Sequence, residues 1–328
     1  MGSERPDEFE TIARLLKPLA GHPAARSLGD DVAVVEPPAG RTLVITHDTI
    51  VAGVHFLPDD PPDLIARKLL RVNLSDLAAK GAEPFGYLMS CAWPTSCDWP
   101  WREAFARGLA LDQTEYGLEL LGGDTVSTPG PLTLGATLIG WGDPGRTPGR
   151  GGAKAGDLIF VSGTIGDGGL GLAAATGRPG LSGADVDWLS ERYRLPQPRL
   201  SLAAMISREA TASADVSDGL IADLDNIARE SGLQAEIELD HVPLSAAAAR
   251  WLQVQDDETE ARSRLVTSGD DYEIIFTAPP ERAGAVVEQA AHARCPVTAI
   301  GQMRAGEGVH IGFRDTPVVL NETGWRHR

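Results

Sequence analysis

One pattern recurs along the chain: an apolar run ends and an aspartate follows beside glycine, serine or threonine. It occurs in SLGDD (Asp30, Asp31), VITHDT (Asp48), LLGGDT (Asp124), SADVSDG (Asp215, Asp218) and VTSGDDYE (Asp270, Asp271). NLSDLAAKGA adds Asp76, about one helical turn after Asn73 and so on the same side. Carboxylates at strand ends can converge at one edge of a sheet. Oxygen-only ligands suit Mg2+, which keeps several waters and is shared with substrate phosphates. Asp30 and Asp31 pose the question most sharply. Like charges about 4 Å apart repel by ~4 kcal/mol at an effective dielectric of about 20. Either water screens that repulsion or something positive sits there. A single Asp beside Gly is ordinarily a turn or N-cap residue. The recurrence over both halves of the chain, with few Lys or Arg nearby, is what points to a cation.

The whole chain fits that reading. Its 328 residues carry 46 acidic against 29 basic side chains, a formal net charge of -17. That balance argues against nucleic acid and anionic membranes as partners, and it permits metal cations. A phosphorylated substrate then needs metals or a few local arginines to hold it. At 42% hydrophobic and 23% charged the composition is that of an ordinary globular protein, and the length suits two domains. Cys91, Cys97 and Cys295 are odd in number and lack metal spacing. Reduced thiols in a cytoplasmic protein are the simplest expectation, with a Cys91–Cys97 bridge as the alternative. MGSERPDEFE has no apolar signal core, Pro6 breaks the myristoylation pattern, and no run is long enough to span a membrane.

Other motifs are weaker. GDGGLG, 166–171, follows the strand-like DLIFVSG and satisfies GxGxxG, but GADVDWLSERY further on reads as helix where a second strand with a terminal acid is required. A glycine-rich turn opening a helix is the plainer reading. There is no GxxxxGK(S/T), HExxH, GxSxG or CxxC. His55 is either a structural histidine or a ligand-facing one. Arg150 is either a solvated linker residue or a phosphate contact. Trp325 either packs or stacks on a ring.

These residues need elements to position them. Apolar spacing predicts a helix over 7–20 with Phe9, Ile12, Ala13, Leu16 and Leu19 on one face. RTLVITHD and PFGYLMSCAW read as strands around a long helix that Gly81 ends. A helix over 99–116 and the strands LELLGGD and LTLGATLIGW follow. The Gly- and Pro-dense stretch 142–157 marks a domain boundary, giving domains 1–148 and 149–328. Beyond it, strands are expected at DLIFVSG, ASADV, AEIELD, YEIIFTA, VTAIGQM and GVHIGF. Helices are expected over 169–176, 184–191, 199–210, after SDG, and in PERAGAVVEQAAHA. Strands and helices mix in both halves, so the class is α/β or α+β.

Together the segments LGDDVAVV, HDTIVAGVHFLPD, KLLRVNLSDLAAKGAEP, LLGGDT, RGGAKAGDLIFVSGTIGD, DVSDGLIADL and SGDDYEIIFT resemble the thiamine-monophosphate kinase family, in the family's order and over nearly the whole chain. Relatives in the same superfamily share the looser motifs: aminoimidazole ribonucleotide synthetase, selenophosphate synthetase and a hydrogenase-maturation dehydratase. GVHF, SDGL and DDYE favour the thiamine enzyme. The reactive cysteines of the latter two relatives are not found: the first cysteine is Cys91 and the sequence ends WRHR.

The resemblance implies the two-domain aminoimidazole ribonucleotide synthetase-like fold. Its N-terminal sheet pairs across a homodimer, and its C-terminal domain is an α/β sandwich. It implies ATP as co-substrate, thiamine phosphate as acceptor, and several Mg2+ ions. Asp30, Asp31, Thr46, His47, Asp48, Asp76, Asp124, Asp215 and Asp218 fall at metal positions. Gly123, Asp124, Arg150 and Ser217 fall at ATP contacts, and His55, Asp270 and Trp325 at substrate contacts. Two positions depart from the family. His47 stands where Thr or Ser is usual, which removes a ligand if a hydroxyl serves there and changes nothing if the backbone carbonyl does. Asp270 stands for a Glu, one methylene shorter. The rival expectations are another ATP-using enzyme of the superfamily and a non-catalytic cation-binding protein.

Overall fold

The structure, a computed structural model, describes residues 7–178, 180–320 and 322–325. The chain forms two compact units. One runs to Leu77 and resumes over Glu83–Pro144; the other takes Ala78–Ala82 and the chain from Gly145 onward.

The first unit opens with helix α1 (Glu8–Thr11), which passes into a π turn (Ile12–Leu16) and a 3-10 turn (Lys17–Leu19). The single helix expected over 7–20 is therefore broken. Pro18 cannot donate to the carbonyl four residues back. Its expected apolar face is also only partly used: Leu16 is buried while Phe9 is 75% exposed. The remaining elements are β1 (Thr42–Val51), α2 (Pro62–Ala79), β2 (Glu83–Trp93), α3 (Trp99–Tyr116), β3 (Glu119–Ser127) and β4 (Thr133–Gly142). The sheet order is β1-β4-β2-β3, so β1 and β3 are edges. β2 and β3 run parallel, which requires the crossover that α3 supplies. The bounds of α3 follow from its caps. Asp98 accepts from the Trp101 N–H at 3.0 Å, Pro100 sits in the first turn, and Gly117 takes the left-handed conformation at the end.

Helices α2 and α3 are joined by buried charge. Asp112, with no exposure, accepts from Arg67 Nε at 2.7 Å and from Arg71 Nε and Nη2 at 2.7 and 3.0 Å. One sheet face buries Ile50, Met89, Ala136 and Leu138. Leu43, Ile45, Leu88 and Val126 remain exposed by 39% or more.

The second unit contains β5 (Leu158–Ser162), α4 (Asp167–Ala175), α5 (Gly183–Arg194), α6 (Ala203–Glu209), β6 (Ala212–Val216), α7 (Leu220–Ser231) and β7 (Gln234–Glu238). It continues through α8 (Ala246–Gln253), α9 (Glu258–Thr267), β8 (Glu273–Ala278), α10 (Ala283–His292), β9 (Val297–Arg304), β10 (Gly308–Phe313) and β11 (Thr316–Val318). The seven-stranded sheet has the order β11-β10-β7-β9-β5-β8-β6. It is apolar on both faces. Ile159 and Val161 join a core with Leu220, Leu224 and Ile227, whereas Phe160 between them joins Ile206, Phe276 and Val286. That is why DLIFVSG reads as an unbroken apolar run. Helices α8 and α9 and strand β11 were not foreseen from the sequence. Ser245 and Asp257 cap the two helices, accepting from Ala248 N and Glu260 N at 3.0 Å each. The Gly/Pro-dense stretch is no loose linker at its far end: Gly149 O accepts from Ser213 N at 2.8 Å. Cys91, Cys97 and Cys295 are all free and buried, so the alternative bridge is not formed.

Asp185 on α5 accepts from Arg250 Nε on α8 at 3.0 Å, and from Arg250 Nη2. These bonds, with that of Ser182, hold its carboxyl down at about 2. A depressed carboxyl contributes stability above its ordinary range and loses it as pH falls through the folded value. The difference in unfolding free energy between wild type and Arg250→Gln is therefore expected to be constant above about pH 5 and to shrink between about pH 4 and 2. Urea titrations at stepped pH check this. A difference that does not change over that window would remove the pair from the acid response.

Candidate active site

In the first unit, strand alternation decides which side chains meet. Thr46 and Asp48 project to the same side of β1 as α2. The Thr46 hydroxyl donates to Asp76 Oδ2. Because β1 is an edge strand, its outward N–H groups need partners. Asn73 provides one: its Oδ1 accepts from Asp48 N at 3.0 Å while its Nδ2 donates to Leu69 O at 3.0 Å. Asn73 is fully buried. From sequence it marked only a helical spacing; the structure makes it the brace of the Asp48 backbone. Helix α2 thus sets Asp76 against Thr46 and Asn73 against the Asp48 backbone. His47 is corrected. Its ring lies on the opposite face, with Nδ1 2.9 Å from Thr137 Oγ1 and Nε2 3.2 Å from Thr49 Oγ1. Its side chain therefore does not join Asp48 and Asp76, because neighbouring residues of a strand point to opposite faces.

A second group forms at the β3 edge. Asp30, Asp31, Gly123 and Asp124 share a cavity of about 180 Å³ with Leu28 and Thr125. Asp48, Ala136, Met89 and Gly123 form one row across the sheet. Asp48 and Gly123 are thus three strand spacings apart, about 14 Å. They belong to opposite edges of the sheet. Gly123 has a φ of +150°, and a Cβ there would fall 1.8 Å from Met89 O, so only glycine fits.

The structure also shows what sits beside the adjacent acids. Arg26 pairs with Asp30, and Asp31 N donates to Asp30 Oδ1 at 2.7 Å. The Arg26 bond and then this N–H hold the Asp30 carboxyl below its ordinary range. Arg26, Ser27 and Leu28 are all left-handed, with φ of 49°, 55° and 51°. That turn brings the guanidinium back to Asp30. The turn before the long helix α2 holds His55, whose Nδ1 accepts from Val51 N at 3.1 Å. The neutral ring is thereby set to carry its proton on Nε2.

In the second unit, β6 ends in a turn that collects the expected residues. Asp215 lies on β6, 5% exposed, opposite Ile274. Ser217 O accepts from Asp270 N, and Asp218 O accepts from Trp325 N, each at 2.9 Å. Asp270 is left-handed, with φ of 68°, a region that Asp tolerates better than most residues. Trp325 is 55% exposed. Beneath the turn, Asp223 Oδ2 accepts from Ser217 N and Asp218 N. Burial, and then the charge of Asp218, push the Asp223 carboxyl up to about 7, against these two N–H groups and Arg150.

GDGGLG has a different use from dinucleotide binding. Asp271, fully buried, accepts from Gly166 N and Gly168 N at 2.8 Å each. These N–H groups are already occupied, so the cofactor reading is withdrawn. The turn opens α4, as the plainer reading had it. Of the adjacent Asp270 and Asp271, the second is structural.

Among the described residues, no three His, Cys, Asp or Glu side chains form a ready cage for a metal. The donors come in small sets: Thr46, Asp48 and Asp76; Asp30, Asp31 and Asp124; Asp215 and Asp218. All are oxygens. This fits a hard cation that keeps its waters and completes its shell with phosphate, and it does not fit a closed zinc site.

Residues 29–141 match the family model for the AIR synthase related protein N-terminal domain, and residues 154–313 match that for its C-terminal domain. The chain is 49% identical to a thiamine-monophosphate kinase of Caulobacter vibrioides, over 98% of this chain and 91% of that one. It is 38% identical to that of Escherichia coli K12, over 98% of each. A thiamine-monophosphate kinase structure from Stenotrophomonas maltophilia K279a superposes with a TM-score of 0.79 at 36% identity, over 89% of this chain and 91% of that one. A structure described as AaThiL complexed with AMPPCP and TMP gives 0.79 at 30% identity over 100% of both.

Proposed function

The chain belongs to the thiamine-monophosphate kinase family, and from that premise we propose how its ATP-dependent phosphorylation of thiamine phosphate proceeds: by direct, in-line, Mg2+-assisted transfer. The observation that carries this reading is the donor set, all carboxylate and hydroxyl oxygen in separate small groups. The nucleophile is an oxygen of thiamine phosphate that is already anionic at neutral pH, so no general base is required. The difficulty is to bring two phosphate anions together. Bound Mg2+ supplies charge neutralisation on the reacting phosphates. Thr46, Asp48 and Asp76, with Asp30, Asp31 and Asp124, would hold it in domain 1–148, and Asp215 and Asp218 in domain 149–328. The His47 side chain is not among these ligands. Gly123, Asp124, Arg150 and Ser217 hold ATP, with Arg150 the cation for its phosphates. His55, Asp270 and Trp325 hold thiamine phosphate.

The enzyme acts as a homodimer in the cytoplasm. The exposed face bearing Leu43, Ile45, Leu88 and Val126 supports pairing through the first unit's sheet, and three free thiols support a reducing compartment. Among the described residues, no helix is long and apolar enough to cross a membrane. Sedimentation is the test of the dimer.

Trp325 tests the substrate assignment. Its half-exposed indole can meet the cationic thiazolium or the flat pyrimidine, a contact worth ~0.5–2 kcal/mol. Trp325→Ala is expected to raise KM for thiamine phosphate about five-fold on that scale, with KM for ATP and Tm little changed. Equal weakening of both substrates together with a lower Tm would assign the ring to packing instead.

A further inference from the structure

We propose that Asp223 is a positioning residue for the transfer, acting through Ser217 and Asp218. The proposal rests on the assignment of those two residues to nucleotide and cation binding. Asp223 lies in the first turn of α7 and is 1% exposed. A single oxygen, Oδ2, accepts from Ser217 N at 3.0 Å and from Asp218 N at 3.1 Å. The carbonyls of the same two residues accept from Asp270 N and Trp325 N. Every main-chain polar group of Ser217 and Asp218 is therefore engaged, and the turn cannot rotate without breaking a bond. Gly219 completes it with φ of +119°; a Cβ there would lie 3.0 Å from Thr267 O.

The arrangement has a direction. Asp270 and Trp325, the two expected substrate contacts, dock on the outside of the turn through its carbonyls. Asp223 is the side chain that holds the inside. Loss of its carboxylate leaves two part-buried N–H groups without this acceptor, and such groups seek other partners by shifting the backbone. A shift at Ser217 and Asp218 moves their side chains and the backbone seat of Trp325 together. Transfer between two anions depends on such placement, so a small displacement costs rate even when the fold survives. What matters at this position is an acceptor oxygen with the reach of Asp, not the negative charge itself.

Asp223→Asn keeps that oxygen; Asp223→Ala removes it. In the full-length chain, Asp223→Ala is expected to lower kcat/KM for ATP at least about 30-fold, mostly in kcat, and Asp223→Asn to rescue it to within about five-fold of wild type. Hydrogen exchange reads the clamp without relying on activity: the Ser217 and Asp218 amides should exchange much faster in the Ala variant and stay protected in the Asn variant. If the Ala variant does not fold, Asp223→Ser, too short to reach either N–H, is read in its place. The proposal is overturned if the truncated variant keeps kcat/KM within about three-fold, if Asn is damaged as badly as Ala, or if the two amides exchange alike in all three proteins. A wild-type chain with no thiamine phosphate kinase activity would instead overturn the functional reading, and the exchange data would still judge the clamp.

Discussion

Asp76→Asn is expected to cut turnover about 1,000-fold, equivalent to ~4 kcal/mol of lost transition-state stabilisation, while Tm stays within about 3 °C of wild type. The substitution is isosteric. Asn can still accept the Thr46 hydroxyl that Asp76 accepts, so the α2–β1 contact survives. What disappears is the charge that would hold a cation beside the phosphates. Asp48→Asn should behave alike, because Asn73 grips the backbone of residue 48 and not its carboxylate. A chelator should abolish wild-type activity, and added Mg2+ should restore it. Full turnover of either variant in saturating Mg2+ would take that residue out of the cation site.

The largest stability effect should come from Asp112→Ala. This carboxylate is wholly buried and accepts from Arg67 and, through two nitrogens, from Arg71. Burial works against the Arg71 charge; the bond and charge of Asp112, with the charges of Tyr116 and Glu115, together outweigh it and raise its pKa. Removing Asp112 takes from both guanidiniums their buried carboxylate and leaves the more exposed Glu115 to accept from Arg67 at 3.1 Å and Arg71 at 2.8 Å. Breaking a buried pair from one side typically costs ~3–5 kcal/mol, or a fall in Tm of about 10 °C for a domain of this size. Replacing both sides by apolar residues, Arg71→Met with Asp112→Leu, should recover much of the loss. Thermal and urea unfolding measure both. A cost below about 1 kcal/mol for Asp112→Ala would show that Glu115 or solvent satisfies the arginines without it.

Local signals were legible where local chemistry decides structure. Asp98 and Gly117 bound α3 because capping is a short-range event, and the apolar run of β5 announced a strand buried on both faces. The strand-end aspartates pointed to turns at which the structure places oxygen donors. Residue spacing was silent where distant partners decide. Asp270 and Asp271 are alike in sequence, but only the second meets the Gly166 and Gly168 amides. His47 lies beside Asp48 in sequence, yet the pleat sends it to the other face. Arg26 reaches Asp30 only through a left-handed turn that no glycine announces. Asn73 and Asp223 were passed over because each acts on backbone N–H groups, and such a partner leaves no trace in residue spacing. Helices α8 and α9 were missed although Ser245 and Asp257 were there to cap them.

The central claim is a direct, cation-assisted transfer from ATP to thiamine phosphate. The most direct measurement incubates the purified chain with γ-labelled ATP, Mg2+ and thiamine phosphate, and follows the label. The expected result is thiamine diphosphate and ADP in equal amounts, all transferred label in the thiamine product, and no labelled protein when the acceptor is left out. ADP without thiamine diphosphate, or a labelled residue that forms without acceptor and discharges when thiamine phosphate is added, would contradict it.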